Sequence, residues 1–407
     1  MTTISDTSLA EAAGDRMRLA ILVPWITKGR GGTENVGQMM ANAMTQRGHE
    51  VEVFTFDDDN LPSKWELRPE IGLTRLAESD AKDGDLQMMV EIARFAPDLI
   101  VGLHMNSTFR RYVRSAHRLG LPIVLSEHID PRFPARLKTF DPALRETVMS
   151  GATRIHFLVE AFRETVPAGL RDRVRIIPNT TPPASAQAVP GESSGTRTVL
   201  TVARLVKRKN VGRLIGAFAR IADEAPNWVV RVVGDGPEMD HLKEMSKKVG
   251  VSEQVEFVGH VEDVSPHYAA SHLFVLPSLF EGFPMSSLEA MAHGLPILGY
   301  GICNGINEQI EHGANGLLSS GGVSAGSLSD DMLRLMADDA ARAKMGRASF
   351  DRYNKLFSNE VIFAAWETLF REAIAAGGRR ERQDRITSLE AKLEEMIWGD
   401  PDAIHIN

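Results

Sequence analysis

The stretch "LFVLPSLFEGFPMSSLEAMAHGLPILGY", Leu273–Tyr300, decides the fold class. It opens on an apolar run ending at Pro277, which reads as a buried strand, and closes on a second such run from Pro296. Between them "GFP" makes a turn, and a helix begins near Met285 or Ser286. Strand, loop, helix, strand is the repeating unit of a parallel sheet covered by helices. Glu281 then lies in the loop at the carboxyl end of the first strand, and Glu289 about one turn inside the helix. Two separated carboxylates flank a helix N-terminus, whose N–H groups can hold a phosphate. One carboxylate can accept hydrogen bonds from sugar hydroxyls and the other from a ribose. Capping and salt bridging are the other use of such a pair.

The alternation extends in both directions. Upstream, "LAILVP" at Leu19, "VEVFTF" at Val51, "DLIVGL" at Asp98, "PIVLSE" at Pro122, "RIHFLV" at Arg154 and "VRIIPN" at Val174 read as strands. The helix between the first two carries Val36, Met39, Met40, Ala43 and Met44 on one face and stops at Gly48. "TVLTVA" at Thr198, "WVVRVVG" at Trp228 and "VEFVG" at Val255 continue the pattern into the second half. Between the halves "NTTPPASAQAVPGESSGTRT" loses apolar periodicity and reads as a linker. At 407 residues the chain is too long for one core. We expect a flexible start over 1–16, an N-terminal Rossmann-like domain over 17–181, a linker over 182–197 and a second Rossmann-like domain over 198–355. A helix over 356–376, carrying Phe357, Val361, Ala365, Trp366 and Leu369, is expected to return to the first domain. The charged tail 377–407 keeps a stripe of Ile386, Leu389, Leu393, Met396 and Ile397, either docking on its own domain or making a dimer contact. The oligomeric state is therefore open.

A net charge of -8 argues against a dedicated nucleic-acid binder, and no apolar run is long enough to span a bilayer. Met1 to Arg16 has no secretion-signal pattern, and the single cysteine, Cys303, fits a reducing cytoplasm.

Residues with chemical potential follow strands. Two sheets facing each other across a linker bring such loops to one cleft. In "TKGRGGTEN" Gly31 and Gly32 let backbone approach a ligand, and the helix starting near Thr33 aims N–H groups at an anion; a plain strand-to-helix turn is the alternative. In "ARLVKRKN" Arg204, Lys207, Arg208 and Lys209 suit a diphosphate, or a solvated loop. "DDDN", Asp57 to Asn60, looks like an acidic metal motif but reads as a solvated loop, so no metal site is expected. Residues 94–175 hold 14 Lys plus Arg against 8 Asp plus Glu, and "RRYVRSAHR" spaces Arg110, Arg114 and Arg118 along one helix face. That face is either simply solvated or a contact for anionic lipid or an acceptor phosphate.

With these residues in order, the chain resembles glycosyltransferase family 4, retaining enzymes of the GT-B fold in which two Rossmann-like domains face a central cleft. "EGFPMSSLEAMAHGLPIL" resembles the family's E-x7-E signature, "GGTE" its glycine turn, and "ARLVKRKN" its Arg-x4-Lys pair; "VVGDGPE", "VEFVGHVED" and "INEQIEHGANGLL" follow in the expected order. The likeness runs from about Met17 to Ala376. It implies that Arg204 and Lys209 neutralise a leaving diphosphate, that Glu281 with backbone near Phe283 and Met285 positions the donor sugar, and that Glu289 holds the ribose. Pro284 and Ser286 belong to the same donor-binding turn, and backbone near Val261 would meet the base. Pro284 departs from the small residue frequent there and lacks an N–H. His128, in "SEHID", matches a histidine placed at the donor sugar, although a lone histidine is as readily structural. The family is usually metal-independent, so no cofactor is expected beyond a nucleotide-sugar substrate. "GICNGINEQI" around Cys303 is similar to users of UDP-linked hexoses or hexosamines. A glycan or lipid-linked acceptor is implied, in surface polysaccharide or glycoconjugate assembly; the expected place is the cytoplasm, with peripheral contact at the inner face of the cytoplasmic membrane as the option that the basic helix raises. A phosphorylase or sugar-nucleotide epimerase on the same fold, or a non-catalytic carbohydrate-binding subunit, is the competing expectation.

Overall fold

A computed structural model of the chain describes residues 16–27, 31–57, 63, 65–76, 82–103, 109–132, 141–320 and 325–377. Two compact units result, one of Met1–Ile177 with Phe363–Asn407 and one of Pro178–Ile362.

The first unit is built on strands β1 (Arg18–Leu22), β2 (Glu50–Thr55), β3 (Gly72–Arg75), β4 (Leu99–Leu103), β5 (Ile123–Glu127), β6 (Arg154–Phe157) and β7 (Val174–Ile176). They pair in parallel in the order β3-β2-β1-β4-β5-β6-β7. Every residue of β4 and β5 is buried, and apart from Ser126 and Glu127 at the end of β5 these strands are apolar. Sequence reading passed over β3 because "GLTR" at the sheet edge carries one large apolar residue.

In the second unit β8 (Arg197–Val202), β9 (Trp228–Val233), β10 (Val255–Gly259), β11 (Leu273–Leu276), β12 (Ile297–Tyr300) and β13 (Gly316–Ser319) pair in parallel as β10-β9-β8-β11-β12-β13. Strand β13 was also missed, because it is short and opens on a glycine. A Cβ on Gly316 would come within 2.0 Å of the Ile297 carbonyl oxygen, so only glycine allows this close pairing.

In each sheet the strand order reverses once, between β1 and β4 and between β8 and β11. Ligands of open parallel sheets bind outside the carboxyl ends of the strands at such a reversal. The loops leaving β1, β8 and β11 are those that carry Gly31, Arg204 and Glu281.

The proline-rich segment that follows the first unit is held along the second unit. Asn179 Nδ2 donates to the Phe283 carbonyl at 2.8 Å, Tyr353 to that of Thr181 at 2.7 Å and Arg342 Nε to that of Pro190 at 2.8 Å. The late helix, Asn359–Ala376, buries Ile362, Phe363, Trp366, Leu369, Phe370 and Ala373 and leaves Val361 40% exposed. Trp366 and Leu369 of the expected stripe are buried, while Ile362 rather than Val361 faces the core and Ala365 is half-buried. Trp366 packs on His156 with ring centroids 4.2 Å apart, Glu367 pairs with Arg47 at 3.1 Å, and Glu372 with Arg175 at 2.8 Å. The tail stripe lies outside the described residues, among which no helix is long and apolar enough to cross a membrane.

Candidate active site

The loop after β8 is stitched to the loop after β11. Asn210, in the left-handed region at φ 56, donates through Nδ2 to the Pro277 carbonyl at 3.1 Å, and Leu279 N–H donates to that of Arg208 at 2.8 Å. From below, Gly234 (φ +126) packs so tightly that a Cβ would sit 2.1 Å from the Ala203 carbonyl oxygen. A single 3-10 turn, Lys207–Lys209, results.

This turn delivers two cations to one carboxylate. Lys209 Nζ lies 2.6 Å from Glu281 Oε1, and Arg208 lies 3.4 Å from Oε2. Glu281 is 5% exposed. Burial opposes its charge, but Lys209 and Arg208 outweigh that penalty and hold its pKa below the ordinary carboxylate value. Arg204 is exposed and makes no ion pair among the described residues. Lys209 and Glu281 are therefore brought into contact, and Arg204 stays on the same loop without an ion pair among the described residues. Sequence reading placed Arg208 in the loop without seeing that it shares Glu281.

The helix Met285–Ala292 starts on Pro284 with no side-chain cap, so its first N–H groups remain available. The Pro284 carbonyl accepts from Ser287 Oγ at 3.1 Å and Gln309 Nε2 at 3.0 Å. Phe283 is 2% exposed and packs edge-on against Phe357. Met285 and Ser286 are half-buried at the first turn. Glu289 accepts a hydrogen bond at Oε2 from the Tyr268 hydroxyl, 2.8 Å away, which also lies 2.9 Å from the Ser286 carbonyl oxygen. Burial pushes the Glu289 pKa up, partly offset by that bond. Tyr268 was not foreseen, and its place in "SPHYAASH" gives no cue. Val261 is half-buried, two residues beyond the edge strand β10.

In the first unit Gly31 is the extended N-cap of the helix Gly32–Gln46. Both glycines are exposed, and a Cβ on Gly31 would lie 2.6 Å from Glu34 Oε2. Gly29 lies outside the described residues. His128 is half-buried just past β5, with Nε2 2.7 Å from Ser126 Oγ. The basic helix Phe109–Leu119 is less free than its spacing suggests. Arg110 is exposed, Arg114 is held by Asp85, and Arg118 is half-buried. Asp85 also takes the buried Arg111 at 2.7 Å. Asp57 is not solvated as expected. It is 1% exposed and accepts the N–H groups of Ile26 and Thr27, tying the loop after β2 to the loop after β1. Asp58 to Asn60 lie outside the described residues, among which no cluster suits a metal ion.

Two family models match the chain. The one described as Glycosyl transferases group 1 covers residues 185–352, and the one described as Glycosyltransferase Family 4 covers residues 30–184. The chain is similar to an exopolysaccharide phosphotransferase of Streptomyces coelicolor, 33% identical over 250 residues, which are 60% of this chain and 26% of that protein. It is 30% identical over 271 residues to a GDP-mannose-dependent alpha-(1-6)-phosphatidylinositol monomannoside mannosyltransferase of Mycobacterium tuberculosis, covering 63% of this chain and 62% of that one. The alignments span about a quarter to a half of the length of the first curated relatives. In fold it is similar to HepE of Anabaena, solved in complex with UDP-glucose, with a TM-score of 0.69 at 18% identity over 87% of this chain and 99% of that one. Two all-parallel α/β units and this likeness show the GT-B fold.

Proposed function

The chain belongs to glycosyltransferase family 4, and from that premise we propose that it is a retaining transferase, moving a sugar from a nucleotide-sugar donor to a glycan or lipid-linked acceptor. One observation carries the reading: a buried carboxylate, Glu281, clamped by Lys209 and Arg208 beside an uncapped helix N-terminus. An ammonium has three N–H donors. Lys209 uses one on Glu281, which fixes its position, and keeps the others for diphosphate oxygens. Arg204, exposed on the same loop, adds a fork of donors, and the N–H groups at Met285 and Ser286 complete a cradle where negative charge grows as the diphosphate leaves. Glu281 orients the sugar, and Glu289, steadied by Tyr268, accepts a ribose hydroxyl. Val261 backbone meets the base. The departing phosphate takes the acceptor proton on the face from which the acceptor attacks, so configuration is retained.

Charge at the diphosphate is supplied by side chains, so turnover proceeds without a divalent metal and survives EDTA. A UDP-linked hexose or N-acetylhexosamine is the proposed donor, supported by the sequence around Cys303 and by HepE, whose structure contains UDP-glucose. The mycobacterial relative is named for GDP-mannose, which makes GDP the competing nucleotide. The acceptor would be met at the inner face of the cytoplasmic membrane during surface polysaccharide or glycoconjugate assembly, with Arg110 as the exposed cation toward anionic lipid.

The test is a thermal-shift titration with UDP, GDP and ADP. Selective stabilisation by UDP is expected, because a ligand bound only by the folded state raises the melting temperature. Preference for GDP would overturn the donor assignment, and no shift with any nucleotide would overturn the nucleotide-sugar site. Arg204→Ala, at an exposed residue with no ion pair among the described residues, should melt with wild type yet lose on the order of 10²–10³ in kcat.

A further inference from the structure

Beneath His128 runs a line of polar groups that the proposed reaction does not use. Ser126 on β5 and His156 on β6 are register partners in the sheet. Ser126 Oγ lies 2.7 Å from His128 Nε2 and 2.7 Å from His156 Nδ1, and His156 Nε2 lies 2.7 Å from the Ile177 carbonyl oxygen. Ser126 and His156 are both fully buried.

Each bond in this line has only one allowed direction. A carbonyl oxygen only accepts, so His156 Nε2 carries a proton. His156 is sealed beneath Trp366, and burial first, then repulsion from charge on His128, pushes its pKa well below the ordinary histidine value despite the bond to Ile177. The ring is neutral, and its Nδ1 holds a lone pair that accepts the Ser126 hydroxyl proton. Ser126 has no second proton, so its oxygen must accept from His128, whose Nε2 is protonated.

We propose that Ser126 and His156 are positioning residues that fix His128 in the Nε2–H tautomer, leaving Nδ1 as a hydrogen-bond acceptor. The Ile177 carbonyl sets the sense, and the line transmits it through two side chains to a half-buried ring. While the ring is uncharged that acceptor nitrogen takes a hydroxyl, so His128 in that form receives a sugar hydroxyl rather than donating to a diphosphate oxygen. This last step rests on the donor-sugar reading of His128; the tautomer does not.

The experiment is nitrogen-15 NMR of the full-length, histidine-labelled protein without ligand, with His128 and His156 assigned from His128→Ala and His156→Phe. The expected wild-type spectrum shows a protonated Nε2 and an unprotonated Nδ1 for both rings. Ser126→Ala should return His128 to a mixture of tautomers. His156→Gln should keep His128 fixed, because its amide N–H can donate to Ile177 while its carbonyl accepts from Ser126; His156→Phe should not. A protonated Nδ1 on wild-type His128, or an unchanged His128 spectrum in Ser126→Ala, overturns the proposal. The same proteins are then assayed with the nucleotide-sugar selected by the titration. Ser126→Ala should lose at least tenfold in kcat/KM relative to wild type, with His156→Gln retaining most of it. A fixed tautomer whose loss leaves kcat/KM unchanged overturns the hydroxyl assignment alone.

Discussion

Lys209→Met isolates the charge logic of the site. The substitution keeps most of the side-chain volume and removes the ammonium 2.6 Å from Glu281. Breaking a buried ion pair by deleting one partner costs about 3–5 kcal/mol. Arg208 remains at 3.4 Å, longer and 32% exposed, so the loss should fall to about 2–3 kcal/mol. At about 2–4 °C per kcal/mol for a unit of this size, the melting temperature should drop by about 4–12 °C near neutral pH. The pH dependence identifies the cause. In wild type Glu281 has a lowered pKa, so its contribution is present above the ordinary carboxylate value and is lost as pH falls through the folded one. Without Lys209 burial dominates and the folded pKa rises. The variant then pays most above that raised pKa, and the deficit shrinks as acid protonates Glu281. Calorimetry at about pH 8 and about pH 5 should therefore show a larger gap from wild type at the higher pH. Lys209→Met combined with Glu281→Gln should recover much of the loss at about pH 8, because no buried charge is left unpaired. A gap equal at both pH values, or a single variant melting with wild type, would refute the reasoning.

Glu289→Gln should melt slightly above wild type at alkaline pH and level with it in acid, since the raised pKa means the half-buried carboxylate is costly when ionised; its UDP-induced shift should nonetheless weaken, as titration would show. Glu127 is fully buried against Arg145 with contacts of 2.8 and 2.6 Å. Arg145→Met should cost about 3–5 kcal/mol in urea unfolding, largely restored by adding Glu127→Leu. Gly305 sits at φ +85, where a Cβ would meet the Gly282 carbonyl oxygen at 2.4 Å. Gly305→Ala should displace the Glu281 loop, costing about 1–3 kcal/mol and at least tenfold in nucleotide affinity by calorimetric titration.

Long apolar runs and the glycine and proline punctuation between them made both sheets legible from sequence, because strands buried on two faces carry few polar residues to disguise them. β3 and β13 were illegible for the opposite reason: four residues at or near an edge carry too little pattern. The Glu281 loop and its cations were visible as residue types at fixed spacing. Their pairing was not, because it depends on Asn210 and Leu279 joining loops about 70 residues apart in the chain. Asp57 misled because acidic runs are usually solvated, and only the third dimension brings Ile26 and Thr27 N–H groups to it. Ser126 and His156 lay inside buried strands, where a polar residue gives no hint of its partner on the next strand.

Glu281 and Glu289 are chemically identical and eight residues apart, yet the fold drives them in opposite directions. Both are withdrawn from water, which by itself raises a carboxyl pKa. Glu281 faces two cations and remains an anion as pH falls, whereas Glu289 faces a tyrosine hydroxyl, which stabilises its charge less than burial opposes it. In the proposed reaction Glu281, which anchors Lys209 toward a departing diphosphate, has to stay charged, because a neutral Glu281 would release the ammonium. Glu289, proposed to accept a ribose hydroxyl, works best charged, but its raised pKa makes it the first of the two to protonate. Acid should therefore weaken nucleotide binding through Glu289 before it disturbs the Lys209 clamp, and Glu289→Gln should remove the earlier of those two losses while leaving the later one in place.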